Sequence, residues 1–147
     1  MEQSLLLVRI DEEMAALDAA RIQSVVELGS ITSVPCAPDH VAGLAALRSK
    51  AMTVIDCRRS LDLPPRKDAG ESVLFAVVVE LEDYLYALVV DHVEEVVAFE
   101  GEPASLRTKL LPGWTRAALG MVETTAGPAL LLDPAELVAG PPAEIAA

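Results

Sequence analysis

Two histidines, two cysteines and several adjacent carboxylates are the groups in this 147-residue chain that could carry chemistry. His40 and His92 stand far apart, and neither belongs to an HxxxH or HExxH pair, so no metal site is expected. Asp91-His92 has the composition of an oriented general base, but a lone pair closing an apolar strand is better read as a surface or hydrogen-bonded pair. Cys36 and Cys57 lie in no CxxC motif and follow no export signal, so two reduced thiols are expected rather than a disulfide. No GxSxG elbow and no GxxxxGK[ST] loop is present. Asp11-Glu12-Glu13 and Glu82-Asp83 read as solvated faces. Glu94-Glu95 differs, because it interrupts an apolar strand: one side chain can point to solvent, and the other needs a partner or an edge. The chain is expected to have no catalytic residues, no metal and no cofactor.

Arg48 is the residue in the least comfortable place. It lies in the stretch His40–Arg58, between an apolar step ending at Leu47 and a β-branched strand ending at Asp56. Gly43 reads there as a turn glycine. An unpaired guanidinium in a core costs many kcal/mol, so Arg48 is either ion-paired or presented at a surface. With no nucleophile, metal cluster or phosphate loop around it, the stretch points to a recognition surface.

Positioning such a surface falls to many short strands. Leu5–Ile10, Val25–Leu28, Met52–Ile55, Val73–Leu81, Leu85–Val90, Val93–Phe99 and Ala129–Leu132 are β-branched or aliphatic runs bounded by charges, Gly or Pro. Leu81-Glu82-Asp83-Tyr84 reads as a hairpin turn of undefined type, since it lacks glycine. Several strands are apolar at nearly every position, which predicts that both of their faces are covered. Asp133-Pro134-Ala135-Glu136 supplies an N-cap, a first-turn proline and an acidic third residue, predicting a short helix through Val138 that ends at Gly140-Pro141-Pro142. Asp56 caps a similar turn through Leu61. The repetition of strand, aspartate and turn hints at two related halves. The segment Leu63–Gly70 separates them as an exposed loop within a boundary near 62–71, and residues 139–147 read as a frayed tail.

Composition narrows the partners. One domain spanning 1–147 is the natural expectation, large enough to bury roughly two-thirds of its unfolded surface. The chain is 52% hydrophobic with a mean hydropathy of +0.40. Its longest apolar run is only Val73–Val79, against the ~20 residues a membrane helix needs. The opening MEQSLLLVRIDEE has no basic region and does not read as a signal peptide. A net charge of −12 opposes binding to nucleic acid or anionic membrane. A cytoplasmic protein that meets other proteins is the simplest reading.

The residues now carry a resemblance. Gly43 through Arg58 resembles the G-x-x-N-L-R-G-x-x-x-P-V-I-D-L-R stretch of the CheW-like coupling proteins of bacterial chemotaxis, keeping Gly43, Leu47, Arg48, Val54, Ile55, Asp56 and Arg58 without a gap. Val89-Val90-Asp91 with Val93, Glu95 and Val96 resembles that family's V-V-D-x-V-x-E-V. Leu131-Leu132-Asp133 with Glu136-Leu137 resembles its closing L-L-D-x-x-x-L. Order and spacing hold from about residue 5 to 138. The resemblance implies an all-β fold of two intertwined five-stranded SH3-like β-barrels with short helices, each barrel with its own core and a third core between them. It implies a non-catalytic adaptor that contacts the regulatory domain of a histidine kinase by apolar barrel packing. The cytoplasmic tip of a chemoreceptor would lie near the barrel junction, with the protein recruited to membrane-associated arrays without entering the membrane. Arg48 falls on the family's receptor-coupling arginine, with Ile22, Ser24, Val25 and Gly43 as further candidates. For Ile22 and Val25 core packing is the competing reading, as an internal ion pair is for Arg48. Asp56 and Asp133 are expected as caps.

Four departures stand out. Ser49 replaces a usual glycine, Thr53 a usual proline, Ser24 a usual glutamate, and Ala45-Ala46 a more polar step. An adaptor of a chemosensory pathway other than chemotaxis is the alternative within the family. A small-molecule-binding β-barrel, the alternative outside it, would need a convergent polar pocket.

Overall fold

In a computed structural model, residues 2–64, 74–105 and 112–141 are described. Ten strands form two five-stranded sheets. In chain order they are β1 (Glu2–Ile10), β2 (Glu13–Asp18), β3 (Ile22–Leu28), β4 (Val41–Leu47), β5 (Lys50–Asp56), β6 (Leu74–Leu81), β7 (Tyr84–Val90), β8 (His92–Glu100), β9 (Ala118–Thr124) and β10 (Gly127–Leu132). Three short helices, α1 (Cys57–Ser60), α2 (Pro112–Ala117) and α3 (Pro134–Ala139), fill the connections. The first sheet runs β8-β1-β2-β10-β9 and the second β3-β6-β7-β5-β4. The chain therefore starts in the first sheet, crosses to the second for β3–β7, and returns for β8–β10.

The two sheets repeat one wiring. Antiparallel β4–β5 corresponds to β9–β10, parallel β5–β7 to β10–β2, antiparallel β6–β7 to β1–β2, and antiparallel β3–β6 to β8–β1. Details repeat as well. Gly43 and Gly120 each lie at a register shift with positive φ, and the residue after each bridges to an incoming loop, Leu44 to Thr32 and Met121 to Ala104. Asp56 N–H donates to the His40 carbonyl, and Asp133 N–H to the Ala117 carbonyl. A single offset along the chain relates Gly43 to Gly120, Leu44 to Met121, His40 to Ala117 and Asp56 to Asp133.

Alternation along the strands sorts side chains into three cores, because successive residues of a strand face opposite sides. Leu5, Leu7, Val97, Val122, Ala129 and Leu131 pack inside the first sheet. Met52, Val54, Ala76, Val78, Ala87 and Val89 pack inside the second. The intervening Leu6, Val8, Ile55, Val77, Val79, Leu88, Leu130 and Leu132 meet between the sheets, joined by Trp114 of α2 and Leu137 of α3. The continuous apolar runs are thus strands covered on both faces.

Three hairpins use two-residue turns with both central residues at positive φ: Asp11-Glu12 (51°, 69°), Arg48-Ser49 (49°, 75°) and Glu82-Asp83 (49°, 70°). That is the geometry whose twist suits antiparallel strands, and it is made here without glycine. Two sequence readings need correction. Gly43 is not in a turn but inside β4, and α2 and β9 were not expected at all. The predicted loop from residue 65 to 70, the predicted strand start at Val73 and the predicted tail from 142 to 147 lie outside the described residues.

Candidate protein-docking surface

The predicted recognition residues fall on the second sheet. β3 and β4 are its two outer strands, paired with β6 and β5, and β4 is also bridged on its other side where Leu44 pairs with Thr32. A groove of about 200 Å³ runs between them, lined by Val26–Ser30, Ala45–Leu47 and Met52. Val25 on β3 is 44% exposed and Leu44 on β4 is 41% exposed. Two apolar side chains of the outer strands are therefore presented to solvent, Leu44 on the strand that leads into the Arg48 turn.

Arg48 is exposed, and among the described residues it makes no hydrogen bond or ion pair. Of the two readings from sequence, surface presentation is the one observed. Its presentation has a local cause: Leu47 pairs with Lys50, so Arg48-Ser49 is the entire turn. Ser49 occupies the positive-φ position that favours glycine, at φ 75°. Gly43 is buried with φ 151°. A β-carbon there would run into the Thr32 carbonyl and stand 2.8 Å from Ile31 Cγ2. This glycine lets the segment after β3 cross β4, which keeps the groove floor in place. Val25 faces outward, whereas Ile22 is half-buried against the central core. The Ser24 hydroxyl is enclosed without a hydrogen-bond partner among the described residues, beside the register shift between Ile22 and Ser24. The structure thus puts the candidates on β3, β4 and the β4–β5 turn, and of these five only Arg48 and Val25 face solvent.

Asp56 caps α1, accepting from Arg58 N–H at 3.0 Å and Arg59 N–H at 3.4 Å. Asp133 caps α3, accepting from Ala135 N–H at 3.0 Å. Neither carboxylate is needed elsewhere, as expected of N-caps.

A polar cluster that sequence reasoning did not foresee ties the two sheets together. Asp91 is the single residue between β7 of the second sheet and β8 of the first. Arg58 of α1 donates to it from Nε (3.1 Å to Oδ1) and from NH2 (2.7 Å to Oδ2). Its NH1 lies 3.3 Å from Asp11 Oδ1 and donates to the Pro64 carbonyl at 3.0 Å. Asp91 Oδ2 also accepts from Asp11 N–H at 2.7 Å, and Asp91 N–H donates to the Arg9 carbonyl. Hydrogen bonding to Asp91 raises the Arg58 pKa further and keeps the guanidinium charged. Asp91 is therefore not an orienting carboxylate for His92, which is exposed. Nearby, Ser60 Oγ donates to the Leu137 carbonyl (2.7 Å), and Arg116 reaches both the Ser60 carbonyl (2.6 Å) and Glu136 Oε2 (3.1 Å). Buried His40 contacts the Val138 carbonyl through Nε2 at 2.8 Å, so Nε2 carries the proton. Glu94 finds its partner in Arg9 (3.0 Å). A larger cleft of about 610 Å³ is lined by Pro38–His40, Arg59, Asp62, Leu63 and Pro141.

The model of the CheW-like domain family matches residues 4–141. The chain belongs to this family. It is 23% identical over 107 residues to a chemotaxis protein CheW of Treponema pallidum (strain Nichols), a match covering 71% of this chain and 63% of that protein's length. The crystal structure of the scaffolding protein TtCheW from Thermoanaerobacter tengcongensis superposes with a TM-score of 0.78 at 23% identity over 90% of each chain. The two five-stranded sheets with short helices are therefore the CheW fold.

Within this CheW-like domain the matched positions divide cleanly. Gly43 permits a chain crossing, Leu47 and Val54 pack in the second sheet, Ile55 packs in the central core, Asp56 caps α1 and Arg58 holds Asp91. Arg48 alone has no internal task. The Arg58–Asp91 pair was visible in the sequence only as two motif positions, since nothing in a linear pattern says that residues of separate motifs meet. No helix among the described residues is long and apolar enough to cross a membrane.

Proposed function

We propose that this CheW-like domain is a non-catalytic adaptor of chemotaxis signal transduction, coupling chemoreceptors to a histidine kinase through protein–protein contacts. One observation carries the reading: every matched residue of the Gly43–Arg58 motif has an internal role except Arg48, which a tight turn displays to solvent on the same sheet as the exposed apolar residues Val25 and Leu44. An exposed, unpaired arginine costs the fold nothing, yet internal packing gives no reason for it. Arginine beside apolar surface is also the composition from which interaction hot spots are built. The receptor's cytoplasmic tip docks on the face formed by β3, β4 and the Arg48 turn, with Arg48 and Val25 as contacts and Gly43, Ile22 and Ser24 shaping the face from within. The kinase's regulatory domain is held by apolar packing elsewhere on the molecule. The resulting complex is cytoplasmic and gathers at receptor arrays.

The test is bridging. Receptor-bearing vesicles are sedimented with the kinase regulatory domain, with and without this protein. The adaptor reading expects kinase domain in the pellet only when the protein is present, and Arg48→Glu to abolish this while sparing solution binding to the kinase domain. Sedimentation of the kinase domain at equal levels in both samples would sink it.

A further inference from the structure

The two sheets touch mainly through the central apolar core, and apolar packing is non-directional: it holds the halves together without fixing their angle. Directional contacts must do that. Beside the contact of His40 with the Val138 carbonyl and the backbone bonds around Asp91, the side-chain contacts gather on one helical turn. Within α1, Cys57 enters the central core, Arg58 reaches Asp91 at the β7–β8 crossover and Asp11 in the β1–β2 turn, and Ser60 reaches α3 and Arg116. α1 follows β5 of the second sheet, whereas Asp11, α2 and α3 adjoin strands of the first.

The internal repeat supplies a control. The chain also crosses between sheets from β2 to β3, and the residue there, Asp18, caps the following turn by accepting from Ala20 N–H at 3.0 Å. Among the described residues no arginine pairs with it. The residue that the repeat places opposite Arg58 is Ala135, which offers no charge. The fold thus closes one crossover with an aspartate cap alone and the equivalent one with a bidentate ion pair whose side chains are only 18% and 13% exposed. A pair that the same wiring does without is not required to make the fold. Well-shielded ion pairs contribute little net stability but impose a geometry.

We propose that α1 is the joint that sets the angle between the two sheets, with Arg58 as its positioning residue, and that receptor control of the kinase depends on that angle. The second clause rests on the adaptor reading; the first stands without it.

The experiment places spin labels on Glu80→Cys of β6 and Glu123→Cys of β9, exposed positions in opposite sheets, in a Cys36→Ser background. Cys57 is fully buried and stays unlabelled. Distances are read by pulsed double electron–electron resonance with Arg58 intact, with Arg58→Lys, and with Asp91→Asn. Lysine keeps the charge beside Asp11 and Asp91 but cannot form the two-pronged pair, and the Ser60–Arg116 contacts remain to hold the fold. The expected result is a shifted or broadened distance distribution in both variants, with circular dichroism unchanged. Alongside it comes a loss of receptor-dependent kinase stimulation, with affinity for the isolated kinase domain retained. An unchanged distribution in Arg58→Lys overturns the joint. A changed distribution with undiminished stimulation overturns its coupling role.

Discussion

Replacing Ser49 by glycine is expected to stabilise the protein, against the usual effect of adding a glycine. Ser49 is the second residue of the β4–β5 turn and sits at φ 75°, following Arg48 at 49°. An L-residue in the left-handed region carries roughly 1–2 kcal/mol of steric cost that glycine does not. Glycine forfeits about 0.4–1 kcal/mol through the greater freedom of its unfolded chain. The serine is exposed and makes no hydrogen bond among the described residues, so no contact is lost. Taken at mid-range, the difference favours Ser49→Gly by about 0.8 kcal/mol, or about 2–3 °C in Tm for a domain of this size. Urea unfolding followed by circular dichroism measures it, with Ser49→Val as the opposing control, because a β-branched residue tolerates positive φ least. A midpoint that does not rise with glycine, or does not fall with valine, would refute the turn geometry and with it the account of how Arg48 is displayed.

Two other outcomes test the surrounding structure. Gly43→Ala should destabilise by on the order of 3 kcal/mol, because alanine is strained at φ 151° and its β-carbon meets the Thr32 carbonyl, forcing β4 from the crossing chain; a urea midpoint within error of wild type would contradict this. Burial, with the nearby Asp56 and Asp91 carboxylates adding to it, pushes the Cys57 thiol well above its ordinary pKa, while Cys36 is exposed. A thiol reagent at mildly alkaline pH should therefore titrate one group in the folded protein and two in denaturant, and two fast-reacting thiols in the folded state would count against the buried placement.

Much of this was legible in the residues. The doubly apolar runs at β1, β6, β7 and β10 announced strands covered on both faces, since only a sheet between two cores makes every position apolar. The caps at Asp56 and Asp133 were readable because capping is local, as was the need of Glu94-Glu95 for a partner. β4 and β9 were harder. VAGLAAL and ALGMVET are rich in Ala and Gly, which have weak strand propensity, and both become strands through tertiary pairing around a glycine bulge. That same bulge is why Gly43 looked like a turn. α2 is one short segment whose helicity follows from burying Trp114 in the central core. At the candidate surface, Arg48 stood out because its charge conflicts with its neighbours. Ser24 and Ile22 could not be assigned a facing, because the register shift between them changes which side of β3 each presents. The Arg58–Asp91 joint joins distant segments, and only the fold reveals it.

Receptor-dependent autophosphorylation of the kinase tests the central claim most directly. It is measured with receptor and kinase alone, with this protein added, and with Arg48→Glu at equal concentration. The account predicts a large rise with the wild-type protein and none with Arg48→Glu, whose circular dichroism and melting curve match wild type. An equal rise with both proteins would contradict the role given to Arg48, and no rise with either would contradict the adaptor itself.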